Sequence, residues 1–267
     1  MTKIEGHQAR KQFGQNFLVD QRVIEDILSI VDARPTDTVV EIGPGLGALT
    51  AGLIATGAKV HAIEIDRSLI PRLQEKFAQH ANFRLLAQDA LTVEFGVLRG
   101  PSASLRVVGN LPYNISTPLL FHLLDALDVI TDITVMLQLE VAERLAAAPA
   151  CGDYGRLSVA CQACCKVDLV LAVPPWSFDP KPKVDSAVVR LTPLATLPAA
   201  PLRAALARIT QRAFSLRRKV LRHSLGTLFS TAELAACGIN ERQRPEEVTV
   251  GQYLALAELF LARPAGR

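Results

Sequence analysis

Asn110-Leu111-Pro112-Tyr113 brings an amide oxygen, a carbonyl beside a proline and an aromatic ring into four consecutive residues. Proline disfavours the helical region for the residue before it, so Leu111 is expected to be extended, with its carbonyl aimed in a defined direction. The Asn110 side-chain oxygen and the Leu111 carbonyl could then accept both hydrogens of a planar amino group while Tyr113 stacks on the ring that bears it. Such a nitrogen is a poor nucleophile because its lone pair is delocalised into the ring. Drawing its hydrogens out of the ring plane makes it more tetrahedral and turns the lone pair toward an electrophile. A second aromatic face is expected from Phe178, on the proline-rich stretch 173–183, with Trp176 as the neighbouring alternative. The candidate catalytic set is Asn110, Leu111, Pro112, Tyr113 and Phe178.

Upstream, Glu41-Ile42-Gly43-Pro44-Gly45-Leu46-Gly47 follows a candidate strand and opens a candidate helix, where missing side chains let a ligand approach the backbone. Taken alone, Gly43-x-Gly45-x-x-Ala48 also fits a nicotinamide or flavin dinucleotide. Glu64, ending the second candidate strand, can accept both hydroxyls of a ribose in either class of cofactor. Asp89, after the third, could accept a hydrogen bond from an adenine amino group. That third acid and the Asn110 motif together favour S-adenosylmethionine. In a doubly wound sheet all four features meet beyond the carboxyl ends of the strands, and a helix opening near Leu46 turns its positive end toward the cofactor's carboxylate. The sulfonium carries its own positive charge, so the expected chemistry is methyl transfer to a base amino group through alignment and matched dipoles, without a metal.

Charge points to the partner. The chain of 267 residues has a net charge of +3, but residues 1–185 hold 17 Lys+Arg against 21 Asp+Glu, whereas residues 186–267 hold 12 against 5. A basic C-terminal third on a slightly acidic front implies a polyanion, with nucleic acid ahead of membrane because no strongly apolar helix or lipidation signal accompanies it. Arg217, Arg218, Lys219 and Arg222 are the expected RNA contacts. Of the five cysteines, Cys161-x-x-Cys164 lies in an apolar helix-like run from Leu157 to Val167 without a second Cys/His pair, so buried thiols are expected rather than zinc. Reduced thiols and a polar, basic N-terminus without a signal-type apolar block point to the cytoplasm.

These residues need a frame. Short β-rich runs alternate with helical patterns from about residue 38 to 191, which predicts a parallel sheet covered by helices: strands Thr38–Ile42, Lys59–Ile65, Phe83–Ala87, Arg106–Gly109, Ile133–Leu139, Leu169–Val173 and Val188–Leu191. Asp20 is placed to cap a helix whose apolar face is Val23, Ile24, Ile27, Leu28, Ile30 and Val31. The proline-rich stretch 173–183 must be a loop. The expected organisation is a catalytic domain over 1–195, with an N-terminal basic arm, and a helical RNA-binding domain over 196–267. There, the stripe Leu202, Leu206, Ile209, Ala213, Leu216, Val220 should dock on the sheet domain.

The chain resembles the ribosomal RNA adenine dimethyltransferases, and specifically those of the small subunit associated with kasugamycin sensitivity. The resemblance is carried by Lys11 to Leu18, Glu41 to Gly47, Glu64-Ile65-Asp66, Asp89-Ala90, Gly109 to Thr117, Pro182 to Val188, Phe214 to Lys219 and Arg244-Pro245-Glu246-Glu247. It implies a Rossmann-like class I methyltransferase sheet with a small C-terminal helical domain. It also implies that Asn16, Leu18, Gly43, Glu64, Asp89 and Asn110 bind S-adenosylmethionine. The implied reaction is dimethylation of two adjacent adenines near the 3′ end of 16S RNA in an assembling small subunit, by a monomer. Macrolide-resistance methylases of large-subunit RNA, and a nonenzymatic RNA-binding assembly factor, are the alternatives.

Overall fold

A computed structural model describes residue 10 and residues 14–99 and 104–263, so Lys11, Gln12 and Phe13 of the N-terminal motif lie outside the described residues. The strands are β1 Phe17–Leu18, β2 Thr38–Ile42, β3 Lys59–Glu64, β4 Phe83–Ala87, β5 Leu105–Asn110, β6 Ile130–Gln138, β7 Cys165–Val173, β8 Phe178–Asp179 and β9 Ser186–Pro193. The helices are α1 Gln21–Val31, α2 Ala48–Ala55, α3 Ile70–Lys76, α4 Ser116–Asp125, α5 Leu139–Ala146, α6 Arg156–Gln162, α7 Ala200–Phe214, α8 Leu221–Leu225, α9 Thr231–Ala236 and α10 Val250–Leu261.

Seven strands form one sheet in the order β4-β3-β2-β5-β6-β9-β7. β2 is buried along its whole length and pairs in parallel with β3 and β5, which is why its residues, Thr38 and Glu41 included, show no alternation between a buried and an exposed face. From β2 the chain winds outward through β3 to β4, then returns to the other side of β2 for β5 and β6. That reversal creates a crevice at the carboxyl ends of β2 and β5. The sheet is not wholly parallel as expected, because β9 runs antiparallel to β6 and starts at the end where β6 finishes, with Ser186 opposite Gln138.

The opposite end is tied by charge. Asp132, 4% exposed at the start of β6, accepts from Arg106 at 3.1 and 2.7 Å and from Arg190 at 2.8 Å. Arg106 also donates to Asp37 at 3.0 Å. α1 packs its buried face of Val23, Ile24, Ile27 and Val31 into the core, and the Asp20 carboxylate accepts from the Arg22 N–H at 3.1 Å as its N-cap.

The chain divides into two compact units, residues 1–142 with 168–192 and residues 143–167 with 193–267. A single cut near residue 195 does not describe this division, because the segment 143–167 clusters with the C-terminal helices. The cysteine-bearing run also splits into α6 and the first residues of β7. Within the second unit α7 buries Ala205, Leu206, Ile209 and Ala213 against α10 and α6. The stripe expected to dock on the sheet domain thus finds partners in α10 and α6, and Leu216 lies past the helix end, 41% exposed. Two buried phenols finish this core: Tyr154 donates to the Val248 carbonyl at 3.1 Å and Tyr253 to the Pro245 carbonyl at 2.8 Å.

Candidate active site

At the strand reversal a cavity is lined by Asn16, Phe17 and Leu18, by the Glu41–Leu46 turn, by Glu64 and Ile65, by Gln88 to Ala90, and by Asn110 to Ile115. All the expected cofactor residues, Asn16, Leu18, Gly43, Glu64, Asp89 and Asn110, are brought together here, and so are Leu111, Pro112 and Tyr113.

The glycine turn is shaped by what lies over it. Gly45 has φ +59°, and a Cβ on it would sit 3.0 Å from the Phe17 ring, so both the left-handed backbone and the ring packed above it require glycine. Phe17 is held there by the short ribbon of β1 and β8, in which Leu18 pairs with Phe178, while Val19 donates to the Ser177 carbonyl at 2.9 Å.

Burial pushes the Glu64 carboxyl up, while the backbone N–H groups of Asp66, at 2.8 Å, and Gly45 pull against it. These amides fix the carboxylate at the strand end. For Asp66, burial acts upward, but hydrogen bonds from Ser68 and Gln15, with Arg10 beside it, hold the group below the usual carboxylate range. Gln15 and Arg10 thereby connect the N-terminal segment to the loop after Glu64. Asp89 caps the turn 90–92 by accepting from Leu91 N–H at 2.9 Å. Ile65 and Glu41 line the cavity as well, outside the expected binding set. Ile65, 46% exposed, offers an apolar wall beside Glu64. Glu41 is 2% exposed, and burial pushes its carboxyl up to about 7, offset by a 2.6 Å hydrogen bond from Thr50 and reinforced by nearby Glu64.

On the other wall the Asn110 side-chain N–H donates to the Asn16 carbonyl at 2.9 Å, which fixes the amide and leaves its oxygen as the remaining acceptor. Beneath it, a Cβ on Gly109 would lie 2.5 Å from the Ile42 carbonyl, so the close approach of β5 to β2 depends on glycine. Leu111, 1% exposed, is anchored by its N–H to the Met136 carbonyl at 3.1 Å. The half-buried Tyr113 meets Ser186 through its hydroxyl, 2.8 Å away. Phe178 does not reach the cavity. It is 1% exposed in the core with Phe17, Leu18 and Val188, so the expected second stacking face is not offered by this ring, and the exposed aromatic of the loop is Trp176.

The basic segment sorts itself similarly. Arg217 spends its guanidinium on the carbonyls of Gly152 and Tyr154, the latter at 3.0 Å, and is a brace for the second unit. Arg218, Lys219 and Arg222 are not held in this way by any backbone carbonyl of the second unit, and Arg218 and Arg222 are exposed. Among the described residues no group of His, Cys, Asp and Glu is arranged to hold a metal ion, and no helix is long and apolar enough to cross a membrane.

A strand-reversal cavity whose acids end successive parallel strands, facing an Asn-Leu-Pro-Tyr turn, defines an S-adenosylmethionine-dependent methyltransferase of the class that modifies amino groups of bases. The chain belongs to the ribosomal RNA adenine dimethylase family, whose model matches residues 6–261. It is 50% identical to the ribosomal RNA small subunit methyltransferase A of Pseudomonas fluorescens strain Pf-5, over 99% of this chain and 98% of the relative. The protein of that name from Pseudomonas aeruginosa is 48% identical over the full length of both. Among solved structures, a dimethyladenosine transferase from Plasmodium falciparum is similar with a TM-score of 0.74 at 25% identity, covering 90% of this chain and 95% of that one. The 23S rRNA methyltransferase ErmE is similar with a TM-score of 0.70 at 30% identity, covering 91% and 98%.

Proposed function

We propose that this protein transfers methyl groups from S-adenosylmethionine to the exocyclic amino groups of two adjacent adenines near the 3′ end of 16S ribosomal RNA, acting in the cytoplasm as a monomer on an assembling small subunit. The observation that carries this reading is the fixed Asn110 amide. With its N–H spent on Asn16, its oxygen is preorganised to accept from a target amino group beside the Leu111 carbonyl. The cofactor supplies the methyl group on a sulfonium. Glu64 accepts from its ribose hydroxyls, Asp89 from its adenine amino group, and Ile65 covers its adenine. Leu18 and Gly43 shape the pocket around it.

On the target side Tyr113 stacks on the flipped adenine, returning roughly 1–3 kcal/mol of what unstacking costs. Since the methylated nitrogen is acidic, no strong general base is required. Small-subunit RNA is favoured over large-subunit RNA by 50% identity to a small-subunit enzyme against 30% to ErmE. The cations Arg218, Lys219 and Arg222 of the C-terminal helical region support a role for that region in meeting phosphates. The test is to incubate the protein with labelled S-adenosylmethionine and unmethylated small subunits and to map the modified nucleosides. Dimethyladenosine at two neighbouring positions is expected; small-subunit RNA left without label would overturn the reading.

A further inference from the structure

Ser186 opens β9 and is 1% exposed. Its backbone is fixed from two sides: it sits opposite Gln138 in the ladder with β6, and the carbonyl of the preceding Asp185 accepts from Leu139 N–H at 2.9 Å. Because β9 runs antiparallel to β6, its first residue lies at the sheet end that carries Asn110. There the Ser186 Oγ stands 2.8 Å from the Tyr113 hydroxyl.

Tyr113 is held at both of its ends. Its main chain belongs to the turn closed by the Ile115 N–H to Pro112 carbonyl bond at 3.1 Å, and its own carbonyl accepts from the Ser116 hydroxyl at 3.2 Å. Its far end is held by Ser186. A stacking ring works only if its plane is set before the base arrives, because ordering it afterwards costs side-chain entropy. Burial pushes the Tyr113 phenol up despite the Ser186 bond, so it stays protonated at neutral pH and is no general base.

We infer that Ser186 is a positioning residue for the target base, holding the Tyr113 ring in its stacking orientation, and that the Tyr113 hydroxyl serves to receive this tether rather than to take part in proton transfer. The inference rests on the proposed stacking role of Tyr113, and its test keeps the two apart.

Turnover of unmethylated small subunits is measured for wild type, Ser186→Ala, Tyr113→Phe, the double variant and Tyr113→Ala, with S-adenosylmethionine affinity by calorimetry and melting temperature alongside. Ser186→Ala and Tyr113→Phe should each lower kcat about three- to tenfold, the range set by one neutral hydrogen bond, with cofactor affinity unchanged. The double variant should lose no more than either single one, because both remove the same bond. A merely structural serine would give losses that multiply, and that result overturns the inference. So does wild-type kcat in both single variants while Tyr113→Ala is inactive. Wild-type turnover by Tyr113→Ala would instead overturn the stacking reading, and this inference with it. If Ser186→Ala does not fold, Tyr113→Phe decides, since it leaves Ser186 in place: wild-type kcat there overturns the tether.

Discussion

The side-chain amide of Asn110 donates to the backbone carbonyl of Asn16 across a gap of 2.9 Å and 94 residues of chain. One hydrogen bond therefore joins the segment leading into β1 to the end of β5, and it determines which way the Asn110 oxygen faces. Asn110→Ala removes the acceptor, and a loss of methyl transfer on the order of a hundredfold or more is expected, with the far-ultraviolet spectrum unchanged. Asn110→Asp keeps an acceptor but sets a carboxylate against the Asn16 carbonyl, so it should fall nearly as far. Turnover near wild type in either variant, measured by label incorporation, would contradict the assigned role.

Glu64 is prepared for hydroxyl donors by backbone N–H groups that hold its carboxylate at the strand end. Glu64→Ala should weaken S-adenosylmethionine binding by at least about tenfold, the scale of a hydrogen bond to a charged group, while leaving the melting temperature of the unliganded protein within a few degrees. Calorimetry showing unchanged affinity would remove Glu64 from the ribose site.

Glu41 carries a proton into neutral conditions. Its carboxyl stands near 7 in the folded chain against an ordinary 4.5. Below the ordinary value both folded and unfolded states are protonated and burial costs nothing. Between the two values the unfolded state has released the proton and the folded state has not, so stability falls as pH rises, levelling off above about 7 at a cost on the order of 3 kcal/mol. Glu41→Gln should therefore gain stability relative to wild type as pH is raised through this window. Urea unfolding of the two proteins at several pH values checks it, and a constant difference would refute the buried neutral acid.

Asp132 is the shared acceptor for Arg106 and Arg190. Asp132→Ala leaves two partly buried guanidinium groups without their common partner, and a loss of about 3–5 kcal/mol in unfolding free energy is expected. The cluster lies at the sheet end away from the cavity, so S-adenosylmethionine affinity of the folded fraction should hold. A loss below about 1 kcal/mol would show that water compensates these charges.

Arg218, Lys219 and Arg222 separate from Arg217 in what they should do. Changing these three residues to Gln should weaken binding to small subunits and flatten its salt dependence by roughly 0.7–0.9 for each phosphate no longer neutralised, with cofactor affinity intact. Arg217→Gln should instead lower the melting temperature, because it strips the brace on Gly152 and Tyr154. Unchanged particle affinity in the triple variant would take this segment out of the RNA interface.

Much of the frame is legible in the chain. Thr38–Ile42 and Phe83–Ala87 have the expected bounds because short apolar runs end sharply where polar and glycine-rich turns begin. The cavity is legible too, since its acids and glycines sit where successive strands must end. What the sequence hides is tertiary. The two-residue strands β1 and β8 are too short to show a period. The run Leu157 to Val167 carries apolar residues that suit a helix or a strand, and it becomes part of each. Phe178 and Arg217 have the right chemistry for stacking and for meeting phosphate, but the first is consumed by the core and the second by backbone carbonyls. The buried proton on Glu41 depends on what surrounds it, and no local pattern announces that.

The reversed direction of β9 has an evolutionary corollary. The excursion between β7 and β9 leaves and rejoins the frame without passing through any strand that carries the donor-binding acids. Its far end delivers Ser186 to the ring facing the target. That excursion can drift only within limits, because it also carries β8, whose pairing with β1 holds Phe17 over the Gly45 turn.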